Sequence, residues 1–176
     1  MLAWLARIAR VDASEMPLVR PLFIQHFLLI AAITLAKTAR DSLFLSDLPA
    51  QSLPYVFFGL AIWTAIATWL FGRVFASTPT HIALARSNLA IGLLLIGFAV
   101  WFWLMPAAPA VAFYIWLGAY SILLVAELWI LIAERINPRQ ARRLFTVIAT
   151  GGILGGIAGG LVAAVLGGML PAQWLL

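Results

Sequence analysis

The chain contains five apolar stretches, each close to the ~20 residues that a helix needs to cross the hydrocarbon core of a bilayer. The predicted spans cover residues 18–36, 53–76, 87–105, 110–133 and 145–170. Helices are predicted because backbone in lipid must satisfy its own hydrogen bonds, and because the polar–apolar alternation of barrel strands is absent. The expected fold class is therefore all-α, a polytopic membrane bundle of five transmembrane helices.

Composition excludes most alternatives to a membrane protein. Of the 176 residues, 65% are hydrophobic and 10% are charged, whereas a soluble domain carries about 25% charged residues. One small core cannot bury so much apolar surface, which excludes a soluble enzyme, a nucleic-acid binder and a disordered chain. The chain has no cysteine, and its two histidines lack the spacing of metal ligands. We expect no enzymatic activity, no metal or cofactor, and no nucleic-acid partner.

Positive charge is concentrated on one side of the predicted spans. Nine of the eleven Lys and Arg residues fall in the amino-terminal tract, the loop after the second span and the loop after the fourth. These nine are Arg7, Arg10, Arg20, Arg73, Arg86, Arg135, Arg139, Arg142 and Arg143. The positive-inside rule assigns such segments to the cytoplasm. We therefore expect a multi-pass protein of the inner (plasma) membrane with a cytoplasmic amino terminus.

Two regions are predicted on this basis. Residues 1–16 carry apolar side chains near helical spacing with Arg7 and Arg10 between them, which is typical of a segment lying in the headgroup plane. Residues 17–176 form the transmembrane bundle. The fifth span contains a glycine pair every four residues, from Gly151 to Gly160. Glycines at this spacing form one helical face that a neighbouring backbone can approach closely.

Glu127 is the most informative ionisable residue, because it lies well inside the fourth predicted span. A carboxylate at membrane depth costs about 3 kcal/mol unless it faces a cavity or a partner, which favours a functional role. The structural alternative is a protonated glutamate that is hydrogen-bonded to a neighbouring helix.

Lys37, Arg40 and Asp41 form a second charged group after the first predicted span. If the first helix continues through Leu45, Lys37 and Arg40 share one face and Asp41 lies one turn from Lys37. Two cations near the outer end of a cavity-lining helix would attract an anionic substrate. If the helix stops at Ala36, the three residues are ordinary loop charges.

Three stretches resemble a known family of membrane transporters. Residues 36–45 (AKTARDSLFL) are similar to the Lys-Asp-Thr-Leu segment of the nucleotide transporters (ATP/ADP translocases) of plastids and intracellular bacteria. Residues 126–129 (AELW) are similar to the Glu-Leu-Trp of that family, and residues 133–145 (AERINPRQARRLF) resemble its segment before a glycine-rich run. The last stretch is more similar still to related major-facilitator-like proteins of free-living bacteria.

The resemblance implies a major-facilitator-like transporter with a central cavity between two six-helix halves, of which this chain matches the amino-terminal half. It assigns Arg40 and Glu127 to positions implicated in nucleotide transport. The chain departs from the family by carrying Arg at position 40 in place of Lys, and Glu134-Arg135 in place of Asn-Asp.

The sequence therefore predicts a transporter, or its amino-terminal portion, that moves an anionic solute such as ATP or ADP by alternating access. Lys37, Arg40 and Glu127 are the predicted substrate-binding residues, with Glu127 as a gating or proton-coupling charge. Expected partners are the lipid bilayer, the anionic substrate, and a carboxy-terminal half or partner subunit, because five spans are one short of a six-helix half. The alternative is a non-transporting anchor or assembly module derived from a transporter half.

Overall fold

The structure, a computed structural model, describes residues 11–105 and 110–167. Five long helices occur in this part of the chain: α1 (Met16–Asp47), α2 (Leu53–Val74), α3 (Thr80–Leu104), α4 (Ala110–Arg135) and α5 (Pro138–Gly167). A short 3-10 turn, Ala50–Ser52, precedes α2. No strand is present in the described ranges. All five helices are long and apolar enough to cross a membrane, which confirms the all-α, five-span fold class.

Three helices extend well beyond their predicted spans. The first continues to Asp47 instead of ending near residue 36, the third begins at Thr80 instead of 87, and the fifth begins at Pro138 instead of 145. Hydropathy delimits only the segment that lies in hydrocarbon, whereas a helix continues into the headgroup region as long as its backbone remains hydrogen-bonded. Lys37, Arg40 and Asp41 consequently lie on a helix.

The start of α5 has local chemistry that is typical of a helix amino terminus. Pro138 occupies the first helical position, where its missing N–H costs nothing and its fixed φ favours the helix. The carbonyl oxygen of Asn137 accepts hydrogen bonds from the backbone N–H groups of Gln140 (2.9 Å) and Ala141 (3.0 Å). Residues 1–10 of the predicted interfacial segment, and the end of the fifth span after Gly167, lie outside the described residues.

The fourth helix is the centre of the bundle. Its buried side chains occur all around the helix, and α4 packs against α1, α2 and α3. Helices α2 and α3 instead expose large apolar side chains over most of their length, for example Phe58 on α2 and Leu93 on α3. Such surfaces suit contact with lipid tails, which are as apolar as leucine.

Helices α1 and α5 pack in parallel along a glycine stripe formed by Gly151, Gly155 and Gly159. These glycines face the backbone carbonyl oxygens of Phe23, Phe27 and Ala31, respectively, so residue numbers increase in the same direction along both helices. A methyl group added at Gly151 would lie 2.7 Å from the Phe23 oxygen. The absence of side chains therefore sets the distance between the two helices, as expected for small residues four apart.

Polar contacts assign each loop to one end of the bundle. At one end, Arg143 on α5 forms a 3.0 Å ion pair with Glu15 just before α1, and the Thr80 hydroxyl at the start of α3 donates to Glu134 near the end of α4. We call this the arginine-rich end. At the opposite end, the ring of Phe44 on α1 packs on Tyr114 of α4, with centroids 5.0 Å apart.

The side of the membrane that each end faces can be determined by cysteine labelling, because the chain has no cysteine of its own. Gln51 and Ser77 are exposed residues at opposite ends of the bundle. In intact cells, we expect a membrane-impermeant maleimide to label the Gln51→Cys variant at least tenfold more than the Ser77→Cys variant, since the positive-inside rule predicts that the arginine-rich end faces the cytoplasm. Permeabilised cells should label both equally, and the reverse preference in intact cells would invert the topology.

Candidate functional site

The charged residues near the end of α1 form a compact group with α4, which we call the cation cluster: Lys37, Arg40, Asp41 and Tyr114. The Arg40 side chain is buried, and its Nε and Nη2 donate to Oδ1 of Asp41 over 2.8 and 2.6 Å. The guanidinium carbon lies 3.9 Å from the centroid of the Tyr114 ring. A cation over an aromatic face is stabilised by the negative face of the ring. Arg40 is thus held by one carboxylate and one ring.

The cluster depends on a close approach between helices at Gly118. A methyl group added there would lie 3.5 Å from Nη1 of Arg40 and 2.6 Å from Cδ1 of Leu60 on α2. Gly118 therefore provides room for the guanidinium where α1, α2 and α4 meet. Lys37, one turn before Arg40, is partly buried. Among the side chains that the structure describes, no carboxylate lies within 4.0 Å of its ammonium group.

Glu127 lies in a different environment, between α3 and α4. Its side chain is only 4% exposed, and the Ser87 hydroxyl of α3 lies close to the carboxyl group. The second carboxyl oxygen, Oε2, is buried and has no hydrogen-bond partner in the part of the chain that the structure describes. A buried acceptor without a donor is uncommon in folded proteins and calls for an explanation.

A cavity of about 160 Å³ adjoins Glu127, which we call the Glu127 cavity. It lies between α2, α3 and α4, and its walls are mostly apolar. Its lining residues are Ala67, Leu70, Phe71, Val74, Phe75, Arg86, Ser87, Ala90, Ile91, Tyr120, Leu123, Leu124 and Glu127. Ser87 is about 10 Å along α3 from its first residue at 1.5 Å per residue. The cavity therefore lies between the two ends of the bundle and nearer to the arginine-rich end.

The three predicted binding residues do not lie together. Lys37 and Arg40 are in the cation cluster, whereas Glu127 is about 14 Å further along α4 than Gly118, the residue beside the Arg40 guanidinium. The cation cluster is close to the opposite end, and the Glu127 cavity is close to the arginine-rich end. A single small anion could not contact both groups at once in this conformation.

Three residues that build these sites were not among the candidates predicted from the sequence: Tyr114, Gly118 and Ser87. Tyr114 and Gly118 are one turn apart near the start of α4, so their spacing alone indicates that they lie on the same face of that helix. Ser87 was assigned only as the first residue of the third span. Its position opposite Glu127 depends on the packing of α3 against α4, which no local pattern reveals.

His26 interrupts the first span and is a packing residue. Its Nδ1 lies 3.0 Å from the carbonyl oxygen of Ile148 on α5, so this nitrogen carries the proton and donates it. The ring packs edge-on against Trp129 of α4, with centroids 5.3 Å apart. No group of three or more metal-binding side chains is found among the residues that the structure describes.

The chain was compared with known proteins in three ways. No family model, no curated protein and no solved structure matches it.

Proposed function

We propose that the chain is a membrane transporter, or the amino-terminal portion of one, which moves an anionic solute by alternating access. ATP and ADP are the first substrates to test, because residues 36–45, 126–129 and 133–145 resemble stretches of the nucleotide translocases. On this proposal the bundle contributes to a major-facilitator-like architecture in the inner (plasma) membrane. A further helical half, in the same protein or in a partner subunit, completes the pathway.

The observation that carries the proposal is the environment of Glu127. Ionisable side chains inside the membrane are costly and mark solute or ion pathways when they face a cavity. Glu127 is buried at membrane depth, one of its oxygens has no partner among the described residues, and a cavity lies beside it. A helix that served only as an anchor would gain nothing from such a group.

The two charged sites suggest different roles in one transport cycle. The cation cluster has two positive charges and one negative charge, and among the described side chains no carboxylate lies within 4.0 Å of the Lys37 ammonium group. It is therefore the place at which an anionic substrate is attracted. Glu127 lies nearer to the other end of the bundle and repels an anion unless its charge is neutralised, so it acts as a gating or coupling charge. Rocking of helical halves would expose the two sites in turn.

The second candidate function is a non-transporting anchor or assembly module. The observation that favours it is that Asp41 and Tyr114 already hold the Arg40 guanidinium. In this alternative the cation cluster only ties α1 to α4, and the exposed apolar faces of α2 and α3 contact lipid or a partner subunit.

Transport measurements separate the two candidates. Full-length protein in proteoliposomes loaded with ADP should take up labelled ATP above the level of empty liposomes. The Arg40→Gln and Glu127→Gln variants should each reduce uptake at least tenfold, because each removes a charge and keeps most of the side-chain volume. Glu134→Gln is the matched control, since Glu134 is an exposed carboxylate on the same helix. Uptake that both charge-neutral variants leave unchanged would contradict the proposal.

A further inference from the structure

We propose that the Glu127 cavity is a binding site for a small primary ammonium ion with an apolar body. This goes beyond the transport of an anionic solute and does not depend on it. The site is formed by α2, α3 and α4, and it is separate from the cation cluster, which lies about 14 Å away along α4.

The charge of the ligand follows from the carboxyl group. Glu127 is almost fully buried, and the nearest basic residue that lines the cavity is Arg86, whose side chain is exposed. Neither of the two ion pairs found among the described residues includes Glu127. A buried carboxylate is costly unless a cation or several donors compensate it, and without them the group takes up a proton instead. A ligand that brings a positive charge would therefore stabilise the ionised form of Glu127.

The hydrogen-bonding character of the ligand follows from the two carboxyl oxygens. The Ser87 hydroxyl is the polar side chain of the cavity wall that lies close to the carboxyl group, whereas Oε2 is buried without a donor among the described residues. A primary ammonium ion has three N–H donors and can supply the missing bond. A quaternary ammonium ion carries the same charge and has no donor, so it would leave Oε2 unsatisfied.

The size and polarity of the ligand body follow from the walls. Leu70, Phe71, Ile91 and Leu124 are among the apolar residues that line the cavity. A volume of about 160 Å³ is close to that of an engineered apolar cavity of about 150 Å³ that binds benzene. The cavity therefore accommodates a body of roughly four to six carbon atoms. Its aromatic residues, Phe71, Phe75 and Tyr120, add faces that attract a cation.

Binding of n-butylammonium to the purified full chain in lipid nanodiscs tests the proposal. Calorimetric titration against empty nanodiscs at constant ionic strength gives the Kd. Two probes separate the contributions: n-butanol has the same body without the charge, and tetramethylammonium has the charge without a donor. Both should bind at least tenfold more weakly than n-butylammonium. Equal binding of n-butanol would mean that Glu127 supplies no charge, and equal binding of tetramethylammonium would contradict the hydrogen bond to Oε2.

Variants locate the bound ligand. Glu127→Gln should weaken the binding of n-butylammonium at least tenfold, and Glu134→Gln should leave it unchanged. Ala90→Phe fills the cavity from α3 and should also weaken binding, whereas Ala85→Phe adds the same ring on α3 outside the lining residues. If Glu127→Gln does not fold, the comparison of Ala90→Phe with Ala85→Phe still tests the proposal. Binding that neither Glu127→Gln nor Ala90→Phe weakens would overturn the proposal, whether or not the protein transports an anion.

Discussion

Replacing Gly155 with leucine is expected to destabilise the bundle more than the same substitution at any other described glycine of α5. A Cβ atom at this position would overlap the carbonyl group of Phe27, which belongs to the backbone of α1. A flexible side chain could rotate away, but a helical backbone can yield only if the whole of α1 moves. The cost should be about 3 kcal/mol, the upper end of the range for overpacked sites.

The matched control is Gly160→Leu. Gly160 belongs to the same run of glycine pairs, yet nothing lies within 4 Å of a Cβ atom built there. The two variants add the same side chain to the same helix and differ only in whether α1 is in the way. The free energy of unfolding, measured by denaturant titration in mixed micelles, should fall for Gly155→Leu and stay within about 0.5 kcal/mol of the wild type for Gly160→Leu. Equal stability of the two variants would mean that the glycine stripe does not set the spacing of α1 and α5.

The sequence predicted the helices well because the membrane imposes a simple rule. Each span needs about 20 apolar residues, and α2 and α4 begin where the hydropathy pattern places them, at Leu53 and Ala110. The glycine stripe was also readable, because the four-residue spacing places its members on one face. The stripe's partner was not readable: α1 lies more than a hundred residues away, and the facing groups are carbonyl oxygens that no residue type specifies.

The helix ends were predicted less well, because hydropathy delimits only the apolar part of a helix and not its polar ends. The predicted third span starts at Ser87 because His81 and Arg86 lower the hydropathy before it, yet the helix begins at Thr80. The end of α1 shows the same effect: the predicted span stops at residue 36, before the charged Lys37, whereas the helix continues to Asp47. Whether Lys37 and Arg40 belong to a helix or a loop stayed open, because the ring that stacks on Arg40 comes from Tyr114 on α4.

The candidate residues could be chosen from the sequence, but their grouping could not. Burial cost alone singled out Glu127, and its side chain is indeed among the few buried charged groups. The proximity of Ser87 to Glu127 and the cavity beside them depend on how α2 and α3 pack on α4. Arg40 and Glu127 were predicted to serve one substrate, and the structure places them in two sites at different depths along α4.

The claim on which the proposed function depends is that the Glu127 cavity is open to water. Ser87→Cys places a thiol in the wall of this cavity, and Leu89→Cys places one on the same helix where the side chain is 65% exposed on an apolar surface. Thiolates react and thiols do not, and a thiolate forms only where water or positive charge stabilises it. A thiol that faces lipid should therefore be inert toward a charged reagent.

The most direct measurement is the rate at which a membrane-impermeant cationic methanethiosulfonate modifies these two variants in sealed vesicles. Applied from the arginine-rich side, the reagent should modify Ser87→Cys at least a hundredfold faster than Leu89→Cys, and Ser77→Cys in the adjoining loop gives the upper limit of the rate. A Ser87→Cys variant as unreactive as Leu89→Cys would contradict the claim. The cavity would then be sealed from water, and the chain would be better described as an anchor or assembly module.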